Sequence, residues 1–101
     1  MFDLTNTKYK VKFTSRFKKE FKKVLKQGKE EIKLLELLNL LANDKELDPK
    51  YRNHKLINDK TFKDCSECHI EPDWLLIYKI EDSELILLLF ATGSHSDLFN
   101  K

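Results

Sequence analysis

Three histidines and one aspartate are the residues of this sequence best suited to acid–base chemistry. His54 lies in a long polar stretch, His69 ends an expected strand, Asp73 opens the next strand and His95 follows Gly93. Each histidine on its own is better explained as a structural or exposed side chain. Together with the aspartate they predict one shared site, because strand ends and loops are where a scaffold presents reactive groups.

Such a set suits the cleavage of RNA by its own 2′-hydroxyl. That reaction needs a base for the 2′-hydroxyl proton, an acid for the leaving 5′-oxygen and positive groups or donors around the phosphorane. Imidazole suits both proton roles because both of its forms are accessible near neutral pH. An aromatic ring can hold the neighbouring base by stacking, and the candidates are Trp74 and Phe99. Of these, Trp74 is better explained as sheet core and Phe99 as the functional ring.

The segment Cys65-Ser66-Glu67-Cys68-His69 offers a competing chemistry. Its spacing matches the haem-attachment pattern C-x-x-C-H, and the cysteines with two histidines would also make a zinc ligand set. Haem is disfavoured because the sequence shows no export signal and Met1 is its one methionine. Zinc is disfavoured because residues three apart in a strand point to opposite faces. We therefore expect two buried or half-buried thiols, no metal and no organic cofactor.

The first half of the chain predicts a strand followed by two helices. Residues 9–13 alternate as Tyr-Lys-Val-Lys-Phe, the period of a strand with one buried face. Thr14 or Ser15 then caps a helix, and Gly28 suits its left-handed end. A second helix is expected over about residues 29–43, and its apolar residues 34–41 fit either a core or a partner's surface.

The second half predicts three strands after a long polar loop over residues 50–63. The strands cover roughly residues 64–70, 74–80 and 84–91, and the short turns between them favour antiparallel pairing. The last two are nearly continuous in apolar residues, so they should occupy the sheet centre with both faces covered. The fold class is therefore α+β, with an N-terminal strand and two helices packed on a small, mainly antiparallel sheet.

Composition and charge narrow the class of protein. With 41% hydrophobic and 36% charged residues, the chain is expected to form a single globular domain over residues 1–101. Residues 1–30 carry ten basic and three acidic side chains, against nine and fourteen in the remainder. A basic half suits a polyanion such as RNA, and it is equally explained by a solvated helix face. The longest apolar run, residues 85–91, is too short for a membrane span, so we expect a cytoplasmic protein without a membrane partner.

The same residues carry a resemblance to a known family. Residues 48–56, 65–78 and 92–99 match the YafQ branch of the RelE/ParE toxin superfamily in order and spacing. The first half is similar only as a pattern of one strand and two helices. The resemblance implies a RelE-like microbial ribonuclease fold and a type II toxin that cleaves mRNA in the ribosome. It also implies a cognate antitoxin as partner, with operator DNA bound only through the antitoxin.

Carried over position by position, the family's active-site set falls on His54, His69, Asp73, His95 and Phe99. The resemblance implies His95 as the general acid, with Asp73, His54 or both activating the 2′-hydroxyl. His69 would contact phosphate and Phe99 would position the nucleotide. The basic first helix would then meet ribosomal RNA through a lysine set consisting of Lys18, Lys19, Lys22 and Lys23.

One position departs from the family pattern. Where the family usually has an arginine that grips the scissile phosphate, this chain has the uncharged Ala91. Losing such a group should cost about 10²–10³ in rate. We therefore predict an attenuated nuclease, with Ala91 as a substitution introduced so that a growing host tolerates a toxic protein. The competing interpretation is a natural variant in which a lysine such as Lys55 or Lys63 supplies the charge.

Two other function classes are open from the sequence. A non-catalytic, ParE-like inhibitory module would share this fold, since a fold does not imply an activity. The histidine set argues against it, because an inhibitor needs no acid–base groups. A metal-binding or redox protein using Cys65 and Cys68 is the third class.

Overall fold

A mixed five-stranded sheet organises the part of the chain that the computed structural model describes, which is residue 4 and residues 6–99. The strands are β1 (Lys10–Phe13), β2 (His54–Lys55), β3 (Ser66–Glu71), β4 (Trp74–Glu81) and β5 (Ile86–Gly93). The helices are α1 (Ser15–Lys26), α2 (Glu31–Ala42) and α3 (His95–Phe99). No helix among these described residues is long and apolar enough to cross a bilayer.

The strand order is β1-β5-β4-β3-β2. β1 runs parallel to β5, and the other neighbouring pairs are antiparallel. β4 and β5 lie inside the sheet, as their continuous apolar sequences predicted. The predicted α+β class with a mainly antiparallel sheet is therefore confirmed.

The first helix begins where its cap was expected. The Thr14 hydroxyl accepts a hydrogen bond from the Phe17 backbone N–H at 3.0 Å and donates to the Phe90 carbonyl at 2.7 Å. Thr14 thus satisfies one orphan donor of the helix and also ties the helix to β5. Beyond the last residue of α1, Gly28 adopts a φ of +93°, the left-handed conformation that glycine favours.

The leucines of α2 mostly fill the core. Leu34, Leu37, Leu38 and Leu41 are all buried. Of the two interpretations of the apolar residues 34–41, core or partner surface, burial in the core accounts for most of them. A groove of about 520 Å³ still runs between the two helices, with Phe21 among its lining residues.

Two apolar cores lie on opposite faces of the sheet. The face that α1 and α2 cover, which we call the helix face, includes Cys68, Trp74 and Leu76. The opposite face carries a smaller core that includes Cys65 and Ile77. The two cysteines are free and buried on opposite faces, as their spacing predicted, so they do not share a metal. Burial also raises the pKa of the Cys68 thiol, which keeps it protonated and unreactive.

A bulge in β5 changes which residues face which core. Leu87 and Leu89 both pack on the helix face. The register shifts between the pairs Tyr78–Leu89 and Ile77–Ala91, which leaves Phe90 as the extra residue. Ala91 consequently joins the core on the opposite face.

Several element boundaries differ from the predicted ones. The expected loop over residues 50–63 contains a 3-10 turn at Pro49–Tyr51 and the two-residue edge strand β2. β5 starts later than expected because residues 82–84 form another 3-10 turn, and Leu85 then takes a left-handed φ of 52°. α3 was not predicted at all, since five residues after a glycine carry too little periodicity to signal a helix.

Candidate active site

β3 supplies two polar groups to the face opposite the helices. Successive residues of a strand point to opposite faces, and Cys68 and Ile70 pack on the helix face. Glu67 and His69 therefore project from the other side, which we call the histidine face. Both are buried, with 6% and 7% of their surfaces exposed.

His54 reaches the same face from the edge strand β2, where it pairs with Glu67. Its Nδ1 lies 2.7 Å from the Arg52 carbonyl oxygen. A carbonyl only accepts hydrogen bonds, so Nδ1 carries a hydrogen and Nε2 holds the lone pair of the neutral ring. The segment is anchored to β4 because the Tyr78 hydroxyl donates to the Asn53 amide oxygen. Burial raises the pKa of Tyr78 to about 12, which keeps that hydroxyl protonated.

His95 is the first residue of α3 and is held by Asp73 from the β3–β4 turn. One oxygen of Asp73 accepts both the His95 backbone N–H at 2.9 Å and the ring Nδ1–H at 2.8 Å. These two hydrogen bonds lower the pKa of Asp73, so the group is a carboxylate at neutral pH. Ring Nε2 is left unengaged by this pair, and the side chain is 46% exposed.

The short helix α3 is fixed by its own cap. The Ser94 hydroxyl accepts from the Asp97 backbone N–H at 3.1 Å, and the Ser94 N–H donates to the Asp97 carboxylate at 3.3 Å. Gly93 just before it leaves room for the cap, because a Cβ there would lie 3.2 Å from the Cβ of Asp97, a tight contact. The cap therefore holds His95 in one position relative to the sheet.

Glu67 joins the histidines into one row. Its Oε1 lies 3.1 Å from His69 Nε2 and 3.7 Å from His54 Nε2. The rings of His69 and His95 follow with their centroids 5.5 Å apart. The side chains form a continuous row in the order His54, Glu67, His69, His95 and Asp73.

His69, in the middle of this row, has an oxygen beside each of its ring nitrogens. His69 Nδ1 lies 3.2 Å from the Pro72 carbonyl oxygen, and its Nε2 faces the Glu67 carboxylate. Both partners are acceptors, so a ring with a hydrogen on each nitrogen satisfies both contacts. These two contacts hold the largely buried ring of His69 in one orientation, with Nε2 toward Glu67.

Ala91 lies on the histidine face under apolar cover. Strand pairing puts it in one transverse row with Ile77, Glu67 and His54. Its surface is 0% exposed, and it packs in the core that contains Phe62. The position thus faces the side of the sheet that carries the histidines, but its methyl group supplies only packing.

Neither lysine considered as a substitute for the missing charge lies in this row. Lys55 follows His54 in β2, so alternation directs it to the opposite face of the strand. Lys63 is exposed and lines a separate cavity together with Leu56 and Asp64. The interpretation that Lys55 or Lys63 replaces an arginine therefore has no support in the geometry.

The aromatic candidates separate clearly. Trp74 is 1% exposed and donates its indole N–H to the Thr92 hydroxyl at 3.0 Å, so its prediction as sheet core is confirmed. Phe99 is half-buried, and its ring lies edge-on to Phe62 at a centroid distance of 5.6 Å. The Phe99 ring therefore packs against the smaller core, the one on the face opposite the helices.

The lysines of α1 are all exposed, and two have specific neighbours. The Lys23 ammonium lies 3.3 Å from Asp97, which links α1 to α3. The Lys18 ammonium lies 5.2 Å from the centre of the Phe13 ring. The set predicted from the sequence, Lys18, Lys19, Lys22 and Lys23, forms a basic helix surface.

Sequence reasoning missed Glu67, which touches two of the three histidines. The signal was available, because the expected strand over residues 64–70 already put Glu67 and His69 two residues apart on one face. A buried carboxylate beside histidines on the same strand face is a strong pointer to a site.

The same residues also form a possible metal ligand set, which the sequence analysis did not expect. Among the described residues, Glu67, His69 and His95 offer ligand atoms that all lie within 4.8 Å of one another. One carboxylate and two imidazoles form a donor set that zinc and copper accept.

Comparison with known proteins identifies the family to which this fold belongs. Residues 9–100 match the family described as the bacterial toxin of type II toxin–antitoxin system, YafQ. The chain belongs to the YafQ toxin family. A curated YafQ relative, the mRNA interferase toxin YafQ of Escherichia coli (strain B / BL21-DE3), is 36% identical over 90 residues, which are 88% of this chain and 94% of that protein.

Solved structures of similar proteins share this fold over most of the chain. A metal-bound toxin from Helicobacter pylori superposes with a TM-score of 0.82 at 38% identity, covering 88% of this chain and 97% of that one. YafQ in the E. coli DinJ–YafQ complex gives a TM-score of 0.80 at 35% identity, covering 90% and 98%. The predicted family and RelE-like fold are confirmed. The chain is a type II toxin–antitoxin toxin whose relatives are named mRNA interferases.

Proposed function

We propose that this YafQ-family toxin is a ribosome-dependent mRNA endonuclease that cleaves by attack of the 2′-hydroxyl. The observation that carries the proposal is the continuous row from His54 through Glu67 and His69 to His95 and Asp73. It offers a base at one end, an acid at the other and positive charge between them. A scissile phosphate lying along this row meets the groups that the reaction needs.

His95 acts as the general acid. Asp73 holds the hydrogen on Nδ1, so Nε2 of the charged ring carries the proton that passes to the leaving 5′-oxygen. Since both of its described hydrogen bonds go to His95, we assign Asp73 to positioning this acid rather than to direct proton abstraction.

His54 acts as the base that activates the 2′-hydroxyl. The Arg52 carbonyl fixes the hydrogen on Nδ1, so Nε2 presents its lone pair. The ring is half exposed at 51%, which leaves room for a substrate hydroxyl. We therefore assign activation of the 2′-hydroxyl to His54 rather than to Asp73.

His69 supplies positive charge beside the developing phosphorane. Both of its nitrogens are engaged by protein acceptors, so its contribution is electrostatic rather than proton transfer. Glu67 positions it and reaches toward His54. Phe99, from the last residue of α3, is assigned by family resemblance to positioning the nucleotide.

Ala91 makes this toxin an attenuated enzyme. Its row on the histidine face lacks the charged side chain that the family pattern has there. The remaining acid–base set still permits catalysis, at a rate lower by about 10²–10³. This supports an attenuating substitution rather than a replacement by Lys55 or Lys63.

The biological partners proposed here follow from the family. A cognate antitoxin covers the toxin, as DinJ accompanies YafQ in the similar E. coli complex. We place the toxin in the cytoplasm, with mRNA and the ribosome as targets and operator DNA bound through the antitoxin.

In vitro translation with toeprinting tests the proposal. The protein should give weak, ribosome-dependent cuts, and His95→Ala should abolish them because the acid is gone, a loss of at least about 10²-fold. Circular dichroism serves as the control for folding. Equal cutting by the protein and its His95→Ala variant, or cutting of free RNA at the same rate, would contradict it.

A second function is favoured by one observation, the ligand set of Glu67, His69 and His95. We infer that a copper or zinc ion binds there, as the similar Helicobacter pylori toxin is metal-bound. A cation would replace the proton shared by Glu67 and His69 and occupy His95, so it should inhibit cleavage.

Calorimetric titration with Cu²⁺ or Zn²⁺ checks the metal site. Binding should weaken at least about tenfold in Glu67→Gln. His54→Asn, which removes a histidine outside the ligand set, is the matched control and should retain the affinity. Equal binding by Glu67→Gln and the unaltered protein would rule out this site.

A further inference from the structure

A cleft opens beside His69, between the Pro49–Tyr51 turn, α2 and the end of β3. Its volume is about 390 Å³, and its lining includes Lys33, Lys50, Tyr51, Arg52, His69 and Glu71. That volume is within the range of small-ligand sites. Because His69 lines the cleft and also belongs to the catalytic row, a ligand bound here lies directly beside the proposed reaction centre.

Two cations in this cleft are available to a ligand. The Lys33 ammonium forms an ion pair with the Glu71 carboxylate at 2.7 Å, and the Lys29 ammonium pairs with the same carboxylate at 2.9 Å. Among the described residues, Lys50 and Arg52 form no ion pair with a carboxylate. The acidic group that lines the cleft besides Glu71 is the exposed Glu36 of α2, which leaves an excess of free positive charge.

Arg52 contributes to both the cleft and the catalytic row. Its backbone takes a left-handed φ of 47°, and its carbonyl oxygen accepts the hydrogen of His54 Nδ1. The main chain of Arg52 therefore orients the proposed base while its side chain lines the neighbouring cleft. A ligand held by this guanidinium therefore lies next to the segment that orients His54.

Tyr51 provides an aromatic surface in the same cleft. It packs against the helix-face core, which limits the freedom of its ring. The Lys50 ammonium lies 5.1 Å from the centre of that ring. An aromatic ring next to two cations is the combination that binds single-stranded nucleic acid, since bases stack and phosphates pair with the charges.

We propose that this cleft binds the nucleotide adjacent to the cleaved bond, with Lys50 and Arg52 on its phosphate and Tyr51 against its base. The inference rests on the proposed RNA cleavage and identifies where the substrate strand continues. Arg52 suits the phosphate because its planar fork can donate two parallel hydrogen bonds. The positive charge of Lys50 and Arg52 therefore reaches the site from the β2 edge of the sheet. Ala91 lies on β5, which is on the other side of β3 and β4 in the strand order.

Binding of an uncleavable RNA tests this directly. A 2′-O-methyl trinucleotide has no free 2′-hydroxyl to attack, so its affinity is measured without turnover or ribosomes. NMR titration should shift the backbone amide signals of residues 50–52 and 69–71. The double variant Lys50→Ala/Arg52→Ala should bind at least about tenfold more weakly, and its salt dependence should fall by about one unit of slope.

Matched variants separate position from overall charge. Lys45→Ala/Lys60→Ala removes the same two charges from exposed positions outside the cleft and should leave the affinity unchanged. Tyr51→Phe keeps the ring and should bind normally, whereas Tyr51→Leu should lose about fivefold or more. Thermal unfolding of each variant shows whether the fold is intact.

Equal affinity of Lys50→Ala/Arg52→Ala and the unaltered protein would overturn the proposal, as would signal shifts confined to His54 and His95. Neither result touches the nuclease assignment, which the toeprinting of His95→Ala tests separately. Conversely, trinucleotide binding in the cleft by a protein that never cleaves mRNA would support the subsite and refute the nuclease.

Discussion

At the scale of single residues, carboxylates decide what the histidines can do. Asp73 uses one oxygen to hold both the backbone and the ring of His95, and Glu67 uses one oxygen to face two histidines. Asp73 puts the hydrogen of the neutral His95 ring on Nδ1, as the Arg52 carbonyl does for His54, so Nε2 is the atom of each ring that meets the substrate. The histidines alone would leave the roles undetermined.

Ala91 is the residue whose change has the clearest expected result. Ala91→Arg should raise cleavage by about 10²–10³, because the new guanidinium extends from the row that contains Glu67 and His54. It should also lower the melting temperature, since it introduces a charge where the alanine is fully buried. Toeprinting and thermal unfolding measure the two effects.

Ala91→Met is the control for size without charge. It should lower the melting temperature through overpacking and leave the cleavage rate unchanged. If Ala91→Arg folds but cuts no faster than Ala91→Met, attenuation by position 91 is wrong.

At the scale of elements, the end of β3 is clamped to the start of α2. Glu71 accepts hydrogen bonds from Lys29 at 2.9 Å and Lys33 at 2.7 Å. The clamp lies next to the turn that carries Asp73, so it helps to hold the residue that orients His95. The two lysines lower the pKa of Glu71, Lys33 contributing most, and Glu71 raises the pKa of Lys33.

Glu71→Gln should therefore destabilise the fold in a pH-dependent way. The lowered pKa means that the stabilisation is fully present above the ordinary glutamate pKa of about 4.3 and disappears as pH falls through the lower, folded-state value. At neutral pH the free energy of unfolding should drop by about 1 kcal/mol. Urea unfolding across the acid range, with Glu46→Gln at an exposed position as control, measures it. A deficit that persists unchanged at the acid end would contradict the ion-pair explanation.

At the scale of the whole molecule, basic charge and catalytic groups occupy different faces. α1 belongs to the layer on the helix face, whereas the histidines project from the other side of the sheet. Lys23 is the lysine of the set that bridges toward α3, through Asp97. A basic surface on one side and catalytic groups on the other suit the ribosome. The basic surface can contact ribosomal RNA while the catalytic groups cut the mRNA.

Charge reversal on α1 tests that arrangement. The four-residue variant at Lys18, Lys19, Lys22 and Lys23 should weaken ribosome binding and flatten its salt dependence. Restricting the change to the first three is the sharper experiment, because it leaves the Lys23–Asp97 pair intact. Co-sedimentation with ribosomes at several salt concentrations gives the measurement.

The matched control reverses three other exposed lysines, Lys10, Lys45 and Lys60. It should bind ribosomes more tightly than the α1 variant, since net charge is equal and only the position differs. Identical losses in both variants would assign the effect to net charge and remove α1 from the interface.

The sequence by itself determined the order of the first strand, the two long helices and the last three strands, the α+β class, the opposite placement of Cys65 and Cys68, and the family. Local periodicity, turn residues and motif spacing suffice for these, because each depends on neighbours along the chain. Only the tertiary structure showed β2 as a paired edge strand, Glu67 as the link between histidines, and the bulge at Phe90 that turns Ala91 toward the histidine face. Strand register and bulges depend on hydrogen bonds between residues far apart in the chain, and simple alternation would have put Ala91 beside Leu87 and Leu89.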